Sequence, residues 1–380
     1  MTLQEELSSL PADLVARLAK RGFDAGRLLA WAKTVGVDRD ARNRLTGRVE
    51  PPQPGDVADA PVAGTPEHAR CAERGLAALR AGEVALCVLA GGMATRMGGV
   101  VKALVEALPG RGGAPGPTFL DLRLGENRHL AAQGAHVPLW LMTSEATEAP
   151  IRAALAARGA ADHVATFEQF VSLRLTPQGA LFRGADQAPS VYATGHGDLP
   201  DALRASGLLS RFVAGGGKQV WIANLDNLGA TVDAAILGWH LSRGGPATVE
   251  LVDKVGSDRG GGPVRHDGRR LITEEFRLPV GFDPATVPVF NTNTFLVDAA
   301  ALAGLSMEWT YVEVEKKIGD AKAVQFERLI GELTAALEPQ LLRVPRDGIS
   351  SRFLPVKDVA ELEKRRGEIE AIARARGMLS

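Results

Sequence analysis

The stretch that decides the fold is CVLAGGMATRMGGVVKALVE, residues 87–106. It begins within an apolar run whose length and composition are typical of a buried β-strand. The run ends in a loop with two adjacent glycines, Gly91 and Gly92, followed by two cations, Arg96 and Lys102. Glycines let the backbone turn sharply and approach a ligand closely, and arginine and lysine bind phosphate oxygens. The stretch therefore predicts a strand that leads into a phosphate-binding loop.

The loop matches neither of the two common phosphate loops. A dinucleotide-binding fingerprint needs Gly-x-Gly-x-x-Gly, and Met93 stands at the position of its second glycine. A P-loop needs a glycine directly before the lysine and a serine or threonine after it, whereas Val101 precedes Lys102 and Ala103 follows it. A nicotinamide oxidoreductase is therefore excluded, and the loop must be interpreted from the rest of the chain.

The composition describes an ordinary globular protein. The 380 residues are 45% apolar and 23% charged, and the formal net charge of -1 gives no electrostatic case for nucleic-acid binding. The two cysteines, Cys71 and Cys87, leave no disulfide framework and no Cys/His metal cluster. The N-terminus does not resemble a signal peptide, and no run approaches the roughly 18 apolar residues of a membrane helix. We expect a cytoplasmic enzyme with no nucleic-acid or membrane partner.

Strand-like and helix-like runs alternate downstream of residue 80. The candidate strands are 84–89, 137–142, 219–223, 247–252, 289–297 and 311–315. The candidate helices are 147–158, 231–243 and 321–337. This alternation predicts an α/β domain with a mostly parallel central sheet flanked by helices, in which ligands bind at the carboxyl ends of the strands.

The flanking regions differ from this central part. We divide the chain into N-terminal helices and a linker at 1–80, a catalytic domain at 81–360 and a C-terminal helix at 361–380. Within the first region, residues 1–35 have helical periodicity. Residues 47–66 are rich in proline and glycine and predict an extended linker or arm. The charged C-terminal helix is interpreted as a solvated surface element.

The order Leu-x-Gly-Gly-x-x-Thr-Arg-Met-Gly, with a lysine shortly after, resembles the signature loop of nucleotidyltransferases that make nucleotide sugars. The loop departs from that pattern twice, since Ala94 and Val101 stand where the family has a glycine and a proline. Later stretches resemble the UDP-glucose pyrophosphorylase family (UTP–glucose-1-phosphate uridylyltransferases) in the same order. They are TFLDL (118–122), PLWLMTSEAT (138–147), TFEQF (166–170), ATGHGDLPDALRASGLL (193–209), WIANLDNLGATVD (221–233), VDKVGSDRGGG (252–262), ITEEFRLP (272–279), FNTNTFLV (290–297), VEKK (314–317) and SRFLPVK (351–357).

The resemblance covers roughly residues 80–360 and implies a Rossmann-like, GT-A-like nucleotidyltransferase domain. The implied reaction joins UTP and glucose 1-phosphate into UDP-glucose with release of pyrophosphate, with Mg²⁺ as cofactor. An N-acetylhexosamine phosphate or galactose phosphate remains an alternative sugar, and a weakly catalytic paralogue that binds nucleotide sugars remains an alternative function. Many family members continue into a C-terminal β-helix that often mediates oligomerisation. This chain ends at Ser380, so we expect a compact form that is a monomer or a small homo-oligomer.

The resemblance also implies roles for individual residues. The catalytic set is Arg96, Lys102, Lys357 and Asp226, with Asp226 as the metal ligand. The nucleotide-binding set is Leu89, Gly91, Gly92, Gln169 and Gly195. The set that binds the sugar or its phosphate is His196, Asn224, Glu274, Asn291, Asn293 and Lys317. The residue chemistry agrees with these roles, because a carboxylate suits Mg²⁺, an amide can both donate to and accept from a base edge, and residues two apart share one face of a strand.

Overall fold

The computed structural model describes residues 2–94, 97–110, 112–256, 258 and 260–379. Its helices are α1 (Leu3–Ser8), α2 (Ala12–Lys20), α3 (Ala25–Ala32), α4 (Arg39–Asn43), α5 (Pro66–Arg80), α6 (Phe119–Ala132), α7 (Glu148–Ala157), α8 (Leu199–Ala205), α9 (Leu208–Ala214), α10 (Ala234–Arg243), α11 (Ala299–Ala303), α12 (Leu333–Ala336) and α13 (Val359–Ala375). In these described ranges no helix combines the length and apolar character that crossing a bilayer requires.

The strands are β1 (Val49–Glu50), β2 (Val57–Asp59), β3 (Val84–Leu89), β4 (Met93–Ala94), β5 (Val100–Val101), β6 (Leu139–Thr143), β7 (Val164–Glu168), β8 (Val171–Leu173), β9 (Val191–Ala193), β10 (Gln219–Asn224), β11 (Ala247–Asp253), β12 (Gly262–His266), β13 (Arg269–Thr273), β14 (Val289–Asp298), β15 (Val312–Ile318), β16 (Ala321–Glu327) and β17 (Pro339–Arg343). Eight of them form the central sheet in the order β2-β17-β11-β14-β10-β3-β6-β7. All neighbours are parallel except β14, which runs antiparallel to β10 and β11. The predicted mixed, mostly parallel α/β sheet is confirmed.

The core lies on both faces of this sheet. In β3, Leu86 and Val88 belong to one buried apolar cluster, and Ala85 and Cys87 belong to the cluster on the opposite face. A strand buried on both sides reads as a continuous apolar run, which is why β3 could be recognised from sequence. Complete burial raises the pKa of the Cys87 thiol, so this cysteine is an inert core residue.

The N-terminal region confirms its helices and changes the interpretation of its linker. Helices α1 to α3 lie within the stretch of helical periodicity. The segment 47–66 is extended, but it is not a free linker. Its strand β1 pairs with β12, and its strand β2 adds a parallel edge strand to the central sheet beside β17. The segment after it begins α5 at Pro66, with the Thr65 hydroxyl accepting from the His68 N–H at 3.2 Å.

The C-terminal helix is part of the core, so its interpretation as a solvated surface element is wrong. Its residues Leu362, Ile369 and Ile372 are buried in the larger apolar cluster. After the helix, the chain packs tightly on α6, because a Cβ added at Gly125 would lie 1.9 Å from the Met378 carbonyl oxygen. The apolar positions recur at helical spacing, but the charged residues between them concealed the buried face.

The helix expected at 321–337 is also wrong over most of its length. Residues 321–327 form β16, which pairs with β15 in an antiparallel hairpin from Val312↔Glu327 to Ile318↔Ala321. Only 333–336 is α-helical. Apolar residues in this stretch fall close to helical spacing, and pairing with a neighbouring strand overrides that local preference.

Candidate functional site

After β3 the glycine loop contains two antiparallel strands of two residues each, β4 and β5. A single 3₁₀ turn then begins at Lys102. The Lys102 ammonium donates to Asp226 Oδ2 at 2.5 Å, and each side chain is 19% exposed. Asp226 follows β10, which is the parallel neighbour of β3 in the sheet. The fold therefore joins two predicted catalytic residues that are 124 positions apart in sequence. Arg96 lies outside the described residues.

The predicted nucleotide-binding glycines contact the next loops along the sheet edge. Leu89 ends β3 and is partly buried, and the Ser144 hydroxyl donates to the Gly91 carbonyl at 2.9 Å. A Cβ added at Gly91 would lie 2.4 Å from Gln169 Oε1, so the buried amide of Gln169 fits directly against this glycine. At Gly92 the same Cβ would meet no described atom within 4 Å. Gly91 is thus required by its protein neighbours, whereas Gly92 borders open space.

The His196 loop, residues 194–198, lies against the segment that follows β16. Gly195 has φ 107°, and a Cβ there would lie 2.4 Å from the Arg328 carbonyl oxygen. His196 Nδ1 accepts a hydrogen bond from the Ile330 N–H at 2.9 Å. Burial lowers the pKa of His196, which keeps the ring neutral. In a neutral ring whose Nδ1 accepts, Nε2 carries the proton, so the ring presents a hydrogen-bond donor.

Asp198 organises this loop. Its fully buried carboxylate accepts from the Thr194 hydroxyl at 2.6 Å, from the Phe170 N–H at 3.1 Å and from the Arg328 guanidinium at 2.7 Å. Burial raises the pKa of Asp198 to about 6, against the lowering effect of Arg328. Because Phe170 follows Gln169 in the chain, Asp198 couples the His196 loop to the segment that carries the candidate base-binding amide.

The Asp226 loop, residues 224–230, touches the segment that carries Lys357. Asn227 uses both ends of its amide, donating to the Arg352 carbonyl at 3.1 Å and accepting from the Leu354 N–H at 2.8 Å. These bonds seat residues 351–354 on the loop. Lys357 lies three residues further on and is exposed, with its backbone N–H bonded to Glu361 at 2.7 Å.

The polar residues expected to bind sugar gather beside β10 and β14. Asn293 Nδ2 donates to Asn224 Oδ1 at 2.9 Å, and the Asn293 N–H donates to Asn291 Oδ1 at 2.8 Å. Asn293 has φ 60°, in the left-handed region that asparagine tolerates better than most residues. The Asn291 N–H donates to the Gly261 carbonyl at 2.7 Å, and a Cβ added at Gly261 would lie 3.0 Å from Glu274 Oε1. Burial raises the pKa of Glu274, and the Gly261 N–H partly opposes that shift.

Lys317 is the predicted residue that the fold separates from the others. It lies near the tip of the β15–β16 hairpin, its side chain is 72% exposed, and its ammonium pairs with Asp320 at 3.6 Å. Lys322, its cross-strand partner, is six positions from Arg328, the residue that touches the His196 loop. At about 3.3 Å per residue this amounts to roughly 20 Å. The role of Lys317 in binding the sugar or its phosphate stays a prediction.

The donor chemistry at Asp226 fits a divalent cation that is held mainly by its substrate. Among the residues that the structure describes, no group of three or more His, Cys, Asp or Glu side chains could hold a metal ion. One carboxylate is nevertheless present at the sheet edge, with a cation already within 2.5 Å of it. Mg²⁺ commonly binds through one or two carboxylates plus substrate phosphates, so a single aspartate is compatible with such an ion.

Comparison with known proteins agrees with this geometry. The family model described as UTP–glucose-1-phosphate uridylyltransferase matches residues 46–367. The chain belongs to this family. The UTP–glucose-1-phosphate uridylyltransferase of Saccharomyces cerevisiae is 30% identical over 74% of this chain and 58% of its own. The chain spans about three fifths of the length of the curated relatives that it matches.

Solved structures show the same fold. A UDP-glucose phosphorylase from Trypanosoma brucei superposes with a TM-score of 0.73 at 20% identity, covering 93% of this chain and 77% of that one. The UDP-N-acetylglucosamine pyrophosphorylase from the same organism, solved with an inhibitor, gives 0.70 at 19% identity, covering 95% and 82%. At these identities the likeness establishes the nucleotidyltransferase fold, and it does not distinguish between sugars.

Sequence reasoning missed the buried arginines that hold the loops of the site. Arg328 binds Asp198 under the His196 loop, and Arg123 binds the Asp226 loop from below. Neither arginine stands in a sequence pattern that distinguishes a buried guanidinium from a solvated one. The TFLDL stretch lies at the start of α6, but nothing in it predicts that Arg123, the next residue, is buried.

Proposed function

We propose that the protein transfers a uridylyl group from UTP to glucose 1-phosphate and releases pyrophosphate. The observation that carries this proposal is the Lys102–Asp226 pair at the carboxyl ends of β3 and β10, with Gln169 and Gly91 in contact on one side and Asn293 bonded to Asn224 on the other. In the order of the strands, a cation and a carboxylate thus lie between the candidate base-binding and the candidate sugar-binding residues. Membership of the family supports the same assignment.

In the proposed reaction an oxygen of the sugar phosphate attacks the α-phosphorus of UTP. The bond from that phosphorus to the oxygen bridging the β-phosphate breaks, and pyrophosphate leaves with the electron pair. Nucleophile and leaving group are both anionic, so no proton has to be removed. Catalysis then depends on positioning and on charge neutralisation rather than on a strong base.

The chemistry of each side chain suggests which part of the substrates it would bind. Lys102 would bind triphosphate oxygens, and the Gln169 amide would read the uracil edge against the Gly91 backbone. The Nε2–H of His196 would donate to the substrate phosphate or sugar. Asp226 would hold Mg²⁺, and the ion would supply positive charge that offsets the charge of the phosphates.

Lys357 has a separate place in the proposal. It follows the segment that rests on the Asp226 loop, and its exposed side chain would contact the leaving pyrophosphate. Its charge should therefore matter most in the transition state, which affects turnover more than nucleotide affinity.

Purified protein with Mg²⁺, UTP and a panel of hexose 1-phosphates provides the test. Pyrophosphate release with glucose 1-phosphate at the highest kcat/KM supports the proposal, and a preference for an N-acetylhexosamine or galactose phosphate would reassign the sugar. Tight UDP-glucose binding without release for any sugar phosphate would instead support a nucleotide-sugar-binding paralogue. Omitting Mg²⁺ tests the cofactor, and cell fractionation tests the proposed cytoplasmic location.

A further inference from the structure

A single buried arginine on α6 contacts most of the Asp226 loop. Arg123 is 0% exposed. Its Nη2 donates to the carbonyl oxygens of Asn224 at 2.8 Å and Asn227 at 2.7 Å, and its Nη1 donates to the carbonyl of Ala230 at 3.0 Å. Two of these carbonyls flank Asp226 on either side. One planar guanidinium therefore fixes the backbone from which the candidate metal ligand projects.

Glu126, one turn further along α6, completes the clamp. Its Oε2 accepts from Arg123 Nη1 at 2.8 Å, and its Oε1 accepts from the Val232 N–H at 2.8 Å. The pair thus binds backbone acceptors with its cation and a backbone donor with its anion. These contacts extend from residue 224 to residue 232, across the whole turn between β10 and α10.

The Arg123–Glu126 pair satisfies backbone groups of the loop, and it also fixes their direction. A buried ion pair loses so much hydration that replacing it with apolar residues is often neutral or stabilising. Arg123 Nε is moreover buried without a hydrogen-bond partner among the described residues, which is unfavourable. What the pair provides that apolar residues cannot is a set of directional bonds to one loop.

We propose that Arg123, held by Glu126, is a positioning residue for catalysis, which sets the Asp226 loop at the distance and angle that the reaction needs. The inference rests on the proposed function for its kinetic consequence, since Asp226 must act on the phosphates. Arg123 itself touches no substrate. A displacement of about 1 Å at a reacting group costs on the order of 10²-fold in rate, so a modest shift of the loop has a large kinetic effect.

Arg123→Lys is the first variant, because lysine keeps the charge and loses the planar fork. We expect kcat to fall by about 10²-fold while KM for UTP changes by less than about threefold, since the base and its glycines lie elsewhere. Hydrogen exchange of peptides covering 224–232 should accelerate in the free protein. Glu126→Gln, which keeps shape and removes charge, should show a smaller change of the same kind if Arg123→Lys does not fold.

Arg42→Lys is the matched control. Arg42 also joins a buried glutamate, Glu313, at 2.5 Å and also donates to backbone carbonyls, those of Val37 at 2.8 Å and Thr34 at 2.7 Å. Arg42 lies on α4 and bonds to the segment before that helix and to β15, and no hydrogen bond or ion pair joins it to the described residues of the Asp226 loop. This variant should lose stability without a selective loss of kcat.

Equal kinetics for Arg123→Lys and Arg42→Lys at equal folded fractions would overturn the inference, and so would unchanged exchange at 224–232. If the wild-type protein releases no pyrophosphate with any sugar phosphate, the proposed function fails. The exchange comparison alone then decides whether Arg123 sets the loop.

Discussion

The His196 loop and the Asp226 loop are each held by a buried arginine. One arginine binds a side-chain carboxylate, and the other binds backbone carbonyls. Arg328 binds the carboxylate of Asp198, whose own bonds to a hydroxyl and an N–H hold the His196 loop. Arg123 binds backbone carbonyls of the Asp226 loop directly. The first loop thus depends on one titratable side chain, whereas the second depends on main-chain geometry. We therefore expect changes in the first loop to affect stability and pH response, and changes in the second to affect turnover.

The largest effect should come from Asp226→Asn. The amide keeps the shape of the side chain and removes the charge that attracts Lys102 and a cation. Loss of one electrostatic contact to a developing charge typically costs about 10² to 10³ in kcat. We expect that loss in pyrophosphate release, with the free energy of unfolding changed by less than about 1 kcal/mol, because the pair is partly solvated.

Asp253→Asn is the control for this substitution. Asp253 ends β11, and its side chain is 60% exposed and lies 3.5 Å from Arg343. It should retain wild-type kinetics. If Asp226→Asn retained kcat while losing stability, the two loops would not differ in the way proposed, and Asp226 would be a structural residue.

Asp198→Ala should have the largest effect on stability. It leaves the Arg328 guanidinium, which is only 4% exposed, without its main counter-charge, although Asp201 still lies 2.7 Å away. Breaking a buried pair from one side costs about 3–5 kcal/mol. Urea unfolding should show this loss, and Asp198→Asn, which keeps an acceptor, should lose less. A near-neutral Asp198→Ala would mean that Asp201 alone satisfies Arg328.

The scaffold could be predicted from sequence and the arginines could not, for a physical reason. Strands such as β3 and β10 are buried on both faces, so they appear as short apolar runs, and residues at their carboxyl ends must converge on one edge. Arg123 and Arg328 owe their burial to carbonyls and carboxylates from distant parts of the chain. The residues next to each arginine in the sequence do not predict these distant partners.

The same reasoning explains the errors at the periphery. β16 has apolar residues near helical spacing, but it forms a strand because it pairs with β15 and bridges to Leu175. Lys317 lies near the tip of that hairpin with an exposed side chain, and its predicted role in substrate binding stays a prediction. Gly91 lies so close to the Gln169 side chain that a Cβ would not fit, and its predicted contact with the nucleotide stays a prediction.

A smaller effect should appear in the pH dependence of stability. Burial lowers the pKa of His196 below its usual value of 6.5, so as the pH falls below about 6.5 the unfolded state binds a proton before the folded state does. The stabilisation is thus complete above pH 6.5 and is lost as the pH falls toward the folded pKa, by at most about 1.4 kcal/mol per pH unit. His240, whose pKa burial lowers to about 4, acts in the same direction.

His196→Asn isolates the first contribution, because the amide oxygen can accept from the Ile330 N–H and does not titrate. The unfolding free energy of the wild type should fall more steeply between pH 7 and pH 5 than that of the variant. His240 is present in both proteins, so its contribution to the pH dependence is the same in the two curves. Parallel curves would show that the His196 loop is not held by a neutral ring.

The smallest effect should come from the glycine loop, which neither arginine holds. Ala94 replaces a glycine of the family pattern, yet it lies in the extended strand β4, in a conformation that alanine adopts without strain, and its side chain is buried. Ala94→Gly should therefore change the apparent UTP affinity by less than about threefold and lower the free energy of unfolding by about 0.5–1 kcal/mol, since glycine loses more entropy on folding. A large gain in UTP affinity would mean that the methyl group crowds the phosphates, and that this loop, unlike the other two, limits how the protein binds its nucleotide.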